Sequence, residues 1–145
     1  RLIGALPCVD LLAQLGIAFD PACTIILPSV HFGGPVEAER GLVLHSTDYL
    51  RDNSMPIDDT MALTATVDIV RDIAEGRGPH DVVLALGYAG WGPGQLDDEI
   101  QENAWLSVPS DRLLVFDDDI ETKWDRAMAK IGVDAALLST QAGRA

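Results

Sequence analysis

The sequence predicts a single domain of mixed α/β structure, and three of its features carry that expectation. Two short runs, Val82–Leu86 and Leu113–Phe116, are apolar at every position, as strands covered on both faces are. Two other stretches repeat their apolar residues at helical spacing and end on glycine. No internal repeat, low-complexity tract or linker divides the 145 residues, which suffice for one hydrophobic core.

Taken in chain order, Val9–Leu15 reads as a short helix with Cys8, Leu12 and Leu15 on one face and Gly16 as its stop. Thr24–Leu27 and Val30–Phe32 are short β-like pieces parted by Pro28, and Gly33-Gly34-Pro35-Val36 breaks the chain. Gly41–His45 resumes as a strand with Leu42 and Leu44 on one face and Val43 and His45 on the other. A further strand, Met61–Ala65, leads into a helix with Thr66 at its N-cap, Asp68 in its first turn and Val67, Val70, Ile73 and Ala74 as its apolar face. Gly76 and Gly78-Pro79 end that helix. Strands follow at Val82–Leu86 and Leu113–Phe116, separated by a glycine-rich turn and a helix that begins near Gln95. In the last helix Ile120, Trp124, Ala127, Met128 and Ile131 form one stripe, with aspartates at its start and Gly132 at its end.

Charge excludes more than it identifies. Ten basic residues face 23 acidic ones, a net charge of −13, and the basic residues form no patch. Nucleic-acid surfaces are built from clustered Lys and Arg, so direct DNA or RNA binding is disfavoured. No apolar run approaches the ~20 residues that cross a bilayer, and the chain reads as cytoplasmic. Cys8 and Cys23 are read as buried free thiols, since two cysteines make neither a disulfide framework nor a zinc set.

Several motifs invite a chemical reading. The segment Gly87–Ile100 passes from a buried strand through glycines into a helix, where phosphate loops occur. It lacks the Gly-Lys-Ser/Thr ending, and Asp97, Asp98 and Glu99 already occupy the first turn, so a tight turn is the better reading. On that helix Gln95 and Glu99 share one side, with Leu96 and Ile100 on an adjacent buried side, and Glu99 is a candidate general base. Gly33-Gly34-Pro35 could cradle an anion with Arg40, although a plain turn explains it better. His31 and His45 match no metal-ligand spacing, so no metal or cofactor is expected. His45-Ser46 with Asp48 has the letters of a hydrolase triad, but neighbours on a strand point to opposite faces. Trp91, Trp105 and Trp124 read as core.

Gly33-Gly34-Pro35-Val36, Glu39–His45, Leu86–Trp91, Gly94-Gln95-Leu96 and Glu99-Ile100 occur in the order and at the spacing of the YqgE/AlgH family. Asn103–Leu106, Leu138-Ser139 and Ala142-Gly143 extend the resemblance over nearly the whole chain. It implies one mixed domain over residues 1–145 with a bifurcated or barrel-like sheet wrapped by helices. Family members carry further strands ahead of the first helix seen here, so the sheet is expected to lack these. Where the family tends to end Ala-Gly-His-Ala, Arg144 stands in the histidine position, and no role for that histidine is carried over. Members are labelled transcriptional regulators, bacterial proteins linked genetically to alginate control, a label that locates no DNA-binding surface.

The leading expectation is a non-enzymatic regulator acting through a protein or small ligand, on a surface joining Gly33, Gly34, Pro35, Arg40 and His45 to Trp91, Gln95 and Glu99. The alternatives are a hydrolase-like enzyme using Glu99 or His45, whose side chains would then converge in one pocket, and a direct DNA-binding regulator.

Overall fold

A computed structural model describes residues 7–22 and 24–134. By its internal contacts the chain divides into two compact units, residues 1–90 and 91–145. Among the described residues there are five strands in one mixed sheet and five helices, the mixed α+β class expected.

The first unit holds helix α1 (Cys8–Gln14), strands β1 (Val30–Phe32), β2 (Val36–Ser46), β3 (Ser54–Pro56) and β4 (Met61–Thr64), helix α2 (Val67–Ala74) and strand β5 (Val82–Tyr88). The strands lie in the order β1-β5-β2-β4-β3. Only β1 and β5 run parallel; the other neighbours are antiparallel. One row of paired residues crosses the whole sheet, from Val30 through Leu84, Val43 and Thr64 to Ser54. Its first three members are buried apolar side chains that join Cys8 and Leu12 of α1 and Ile69, Val70, Ile73 and Ala74 of α2 in one core. Its last two are hydroxyls, and His45, two residues beyond Val43 on the same face, inserts at that polar end.

The second unit holds α3 (Gln95–Gln101), α4 (Arg112–Phe116) and α5 (Ile120–Lys130). Basic groups of α5 tie it to the segment before it. Lys130 donates to the Pro109 carbonyl at 2.6 Å and pairs with Asp111, Lys123 donates to the Val115 carbonyl at 2.8 Å, and Arg126 reaches Asp117 at 3.2 Å.

Helices α1, α2, α3 and α5 end by the same device. The residue after the C-cap takes a left-handed conformation, and two back-turned amide hydrogen bonds close the last turn. Gly16, Gly76 and Gly132 fill that place in three of them; in α3 it is Asn103, at φ 61°.

Several expectations are corrected. Leu113–Phe116 is helical, because Asp111 accepts a hydrogen bond from the Leu114 amide at 2.8 Å and starts a turn. Four apolar residues in a row do not by themselves distinguish a buried strand from a helical turn. Thr24–Leu27 forms no strand. In α2 Val70, Ile73 and Ala74 are buried as expected and Ile69 joins them, whereas Val67 is exposed. Thr66 holds the N-cap position, yet its hydroxyl accepts from the Asn53 amide instead of capping the helix. Cys8 is buried with a free thiol, and burial pushes its pKa up; Cys23, like Leu138, Ser139 and Ala142–Ala145, lies outside the described residues. No helix among the described residues is long and apolar enough to cross a membrane.

Candidate functional site

The glycine motifs of the first unit meet. The Gly33 amide donates to the Leu86 carbonyl at 2.8 Å, which lays the turn after β1 against the end of β5. A Cβ at Gly33 would stand 2.2 Å from the Gly87 carbonyl oxygen, and one at Gly34 would stand 2.3 Å from the Tyr88 carbonyl carbon. One at Gly87, where φ is +74°, would stand 2.3 Å from the Gly34 oxygen. Three glycines therefore permit a backbone contact that no side chain could share. Pro35 follows at an exposed bend, and β2 then bulges between Val36 and Gly41.

Within the bulge Glu37 is held at φ 44°, and its carboxylate accepts from Arg40 at 2.9 Å. Arg40 and then Tyr88 draw the Glu37 pKa below the ordinary range. Arg40 is thus already paired, and any anion would compete with Glu37 for it.

His45 is fully buried at 0% exposure, which removes it from any contact surface. Its Nδ1–H donates to the Ser46 carbonyl at 2.9 Å, so Nε2 accepts from the Thr64 hydroxyl at 2.8 Å. The Thr64 oxygen then accepts from Ser54 at 2.9 Å, and Ser54 in turn accepts from the Arg51 amide at 3.1 Å. The Tyr49 ring packs edge-on against the imidazole at 5.6 Å. Ser46 turns to the other face, where its hydroxyl donates to Asp48 and accepts from the Asp81 amide at 2.9 Å. His31 pairs with Ala85 and His45 with Val82, three residues apart along β5. Among the described residues no three or more His, Cys, Asp or Glu side chains are grouped to hold a metal. The first unit has an apolar cavity of about 110 Å³ lined by α1, α2 and the sheet, and an open recess around Tyr49, Arg51 and Asp72. No candidate residue lines either one.

In the second unit Glu99 is the centre of a network built by both ends of α3. At the N-terminal end Gly94 is left-handed and the Gly92 amide donates to the Gln95 side chain at 3.0 Å, which folds Trp91 back toward the helix. At the C-terminal end the Asn103 turn bonds the Ala104 amide to the Glu99 carbonyl at 2.9 Å, which returns Trp105 to the same place. The Glu99 carboxylate accepts from Trp91 Nε1 at 3.1 Å, Trp105 Nε1 at 2.6 Å and Gln95 Nε2 at 2.8 Å. The two indoles meet edge to face at 5.7 Å.

This arrangement corrects two expectations. Trp91, Trp105 and Trp124 are 38%, 49% and 54% exposed, so they are not core, and Leu96 and Ile100 are exposed as well. Trp105 was missed as a partner of Glu99 because six residues and a helix end separate them. The available signal was the need of each indole N–H for an acceptor.

The three donors, Trp105 first, then Gln95 and Trp91, hold the Glu99 pKa below the ordinary glutamate value. A carboxylate so engaged is a weak base, with three donors on its roughly four lone-pair positions. Its stabilising contribution is complete above the ordinary glutamate value and is lost only as the pH falls through the depressed one. Tryptophan emission should therefore stay constant down through the ordinary glutamate range and change below it. In a Trp105→Phe protein the transition should move upward. A wild-type transition at the ordinary glutamate value would contradict the network.

The sequence pattern of the AlgH-like family matches residues 5–136. A UPF0301 protein of Rhodospirillum rubrum is 52% identical over 136 residues, covering 94% of this chain and 70% of its own length. A UPF0301 protein of Agrobacterium fabrum is 50% identical over 142 residues, with the same coverage of 94% and 70%. The solution structure of the AlgH protein from Pseudomonas aeruginosa is similar with a TM-score of 0.75 at 37% identity, covering 100% of this chain and 76% of that one.

Proposed function

This chain belongs to the AlgH-like family, and on that footing we propose that it is a cytoplasmic interaction protein that influences transcription indirectly, through a bound protein or small ligand. The observation that carries this reading is the Glu99 network. The one carboxylate that the helix pattern offers as a base is spent holding two exposed indoles and a glutamine amide in fixed positions. Rigid, exposed aromatic side chains with satisfied polar tips are what recognition surfaces use. The net charge of −13 supports an indirect route, because an acidic protein is repelled by nucleic-acid phosphates.

The test is a Trp91→Phe, Trp105→Phe double variant compared with wild type in affinity capture from the source bacterium. An interaction surface predicts a partner retained by the wild type and lost from the variant, with the fold kept because both rings are surface groups. An enzyme that used Glu99 as its base would respond in the opposite sense, since freeing the carboxylate from two donors makes it more basic. Recovery of the same partners by both proteins would overturn the proposal.

A further inference from the structure

The reading above leaves the partner's chemistry open, and residues 91–106 supply it. Five large apolar side chains in this stretch, Trp91, Leu96, Ile100, Trp105 and Leu106, are each more than a third exposed. Leu96 and Ile100 are four apart on α3 and so lie one above the other, directly beside the Gln95–Glu99 side to which both indoles are fastened. Isolated exposed apolar residues are ordinary; five within sixteen residues, two on α3 and three in the segments flanking it, with both aromatic members fastened to the helix, are the make-up of an interaction patch.

The charge around that patch has a single sign. Residues 91–106 contain Asp97, Asp98, Glu99 and Glu102 and no Lys, Arg or His. Glu99 is committed to the indoles, while Asp97 lies next to the Leu96–Ile100 stripe and Asp98 and Glu102 are exposed elsewhere around the same helix and its end. We propose that this face of the second unit is a docking surface for a basic amphipathic segment of a partner protein, one that presents an apolar face to Leu96, Ile100 and the tryptophans and Lys or Arg to the carboxylates. The proposal rests on the interaction reading and adds the class of partner. An anionic membrane or a nucleic acid would meet the same apolar groups against the repulsion of these carboxylates, and an acidic segment would meet it too. A basic amphipathic helix presents both chemistries together, an apolar stripe flanked by cations.

The experiment titrates the whole chain against two labelled 18-residue helical peptides, one of Leu and Lys and one of Leu and Glu in the same pattern, read by fluorescence anisotropy. The Leu/Lys peptide should bind saturably, with affinity falling as salt rises, and the Leu/Glu peptide should not bind. A Leu96→Ser, Ile100→Ser protein should bind at least tenfold more weakly, while Asp52→Asn, Asp59→Asn, which removes two carboxylates from the first unit, should change nothing. Circular dichroism melts confirm that each variant is folded, and Asp97→Asn, Glu102→Gln serves where the serine variant is not, by weakening binding and flattening its salt dependence. Equal binding of both peptides, an unchanged affinity in the folded serine or amide variant, or an equal loss in the first-unit variant would overturn the proposal. If the Leu/Lys peptide fails while the Trp91→Phe, Trp105→Phe protein still loses a captured partner, the interaction reading stands and the partner class falls. If both fail, the interaction reading falls with it.

Discussion

Gly87→Ala should destabilise the protein by about 2–5 kcal/mol, of which about 1–2 kcal/mol is the left-handed backbone and about 1–3 kcal/mol the forced shift of packed neighbours. Gly87 sits at φ +74° one residue before the end of β5, and its added methyl would lie 2.3 Å from the Gly34 carbonyl oxygen. That atom is backbone in the turn that carries Gly33 and Gly34, and those glycines leave no slack, being closed against Gly87 and Tyr88 in return. The β1–β5 edge must therefore open or the turn must move. A typical domain is stable by about 5–15 kcal/mol, so the loss is a large share of the whole. Urea denaturation followed by circular dichroism measures it. Gly90→Ala is the control, because a Cβ there meets nothing nearer than the Tyr88 ring at 3.9 Å. A Gly87→Ala midpoint equal to that of the control would show that the two glycine motifs do not depend on each other.

His45→Ala should cost about 3–5 kcal/mol, combining the cavity left by a fully buried ring with the desolvated Thr64 hydroxyl left without its acceptor. The imidazole is held from both sides, by the Ser46 carbonyl and by Thr64, and its edge is packed on Tyr49. Thr64→Val removes the donor to Nε2 instead and should cost about 1–3 kcal/mol. In the double variant the two losses should fall short of their sum by about 0.5–3 kcal/mol, since both delete one hydrogen bond. Additive losses would place Thr64 and His45 out of contact. A catalytic histidine would behave differently, sacrificing activity with little stability; His45 lies at the polar end of the sheet's core row, where its removal is a folding defect.

What was legible in the sequence were features that local spacing determines. Leu42 to His45 alternate as a strand does, and the structure buries Val43 and His45 on one face. Gly16, Gly76 and Gly132 stand where their helices stop, because the left-handed residue of that motif is chosen by backbone sterics alone. Features set by distant partners were not legible. Gly33 and Gly34 read as a simple turn, since the residues that require them, Gly87 and Tyr88, are more than fifty positions away. Leu113–Phe116 read as a strand because its composition outweighed Asp111, the one residue whose spacing to Leu114 signals a cap. The tryptophans read as core because large aromatic surface is usually hidden. Their N–H groups go instead to one carboxylate on a short exposed helix, an outcome that depends on turns at both ends of α3. The row Gln95–Glu99 was visible from helical periodicity; its use as a fastening for indoles was not.

Glu99 as the shared acceptor of two exposed indoles is tested most directly by the ¹⁵N-indole spectrum of the wild-type chain against Glu99→Ala. In the wild type the Trp91 and Trp105 indole protons should be shifted by hydrogen bonding and should exchange slowly with water, although their rings remain open to an aqueous quencher. In Glu99→Ala both signals should move together and exchange faster, with the first unit unperturbed. Indole signals that stay in place when Glu99 is removed would contradict the network and, with it, the recognition surface built on it.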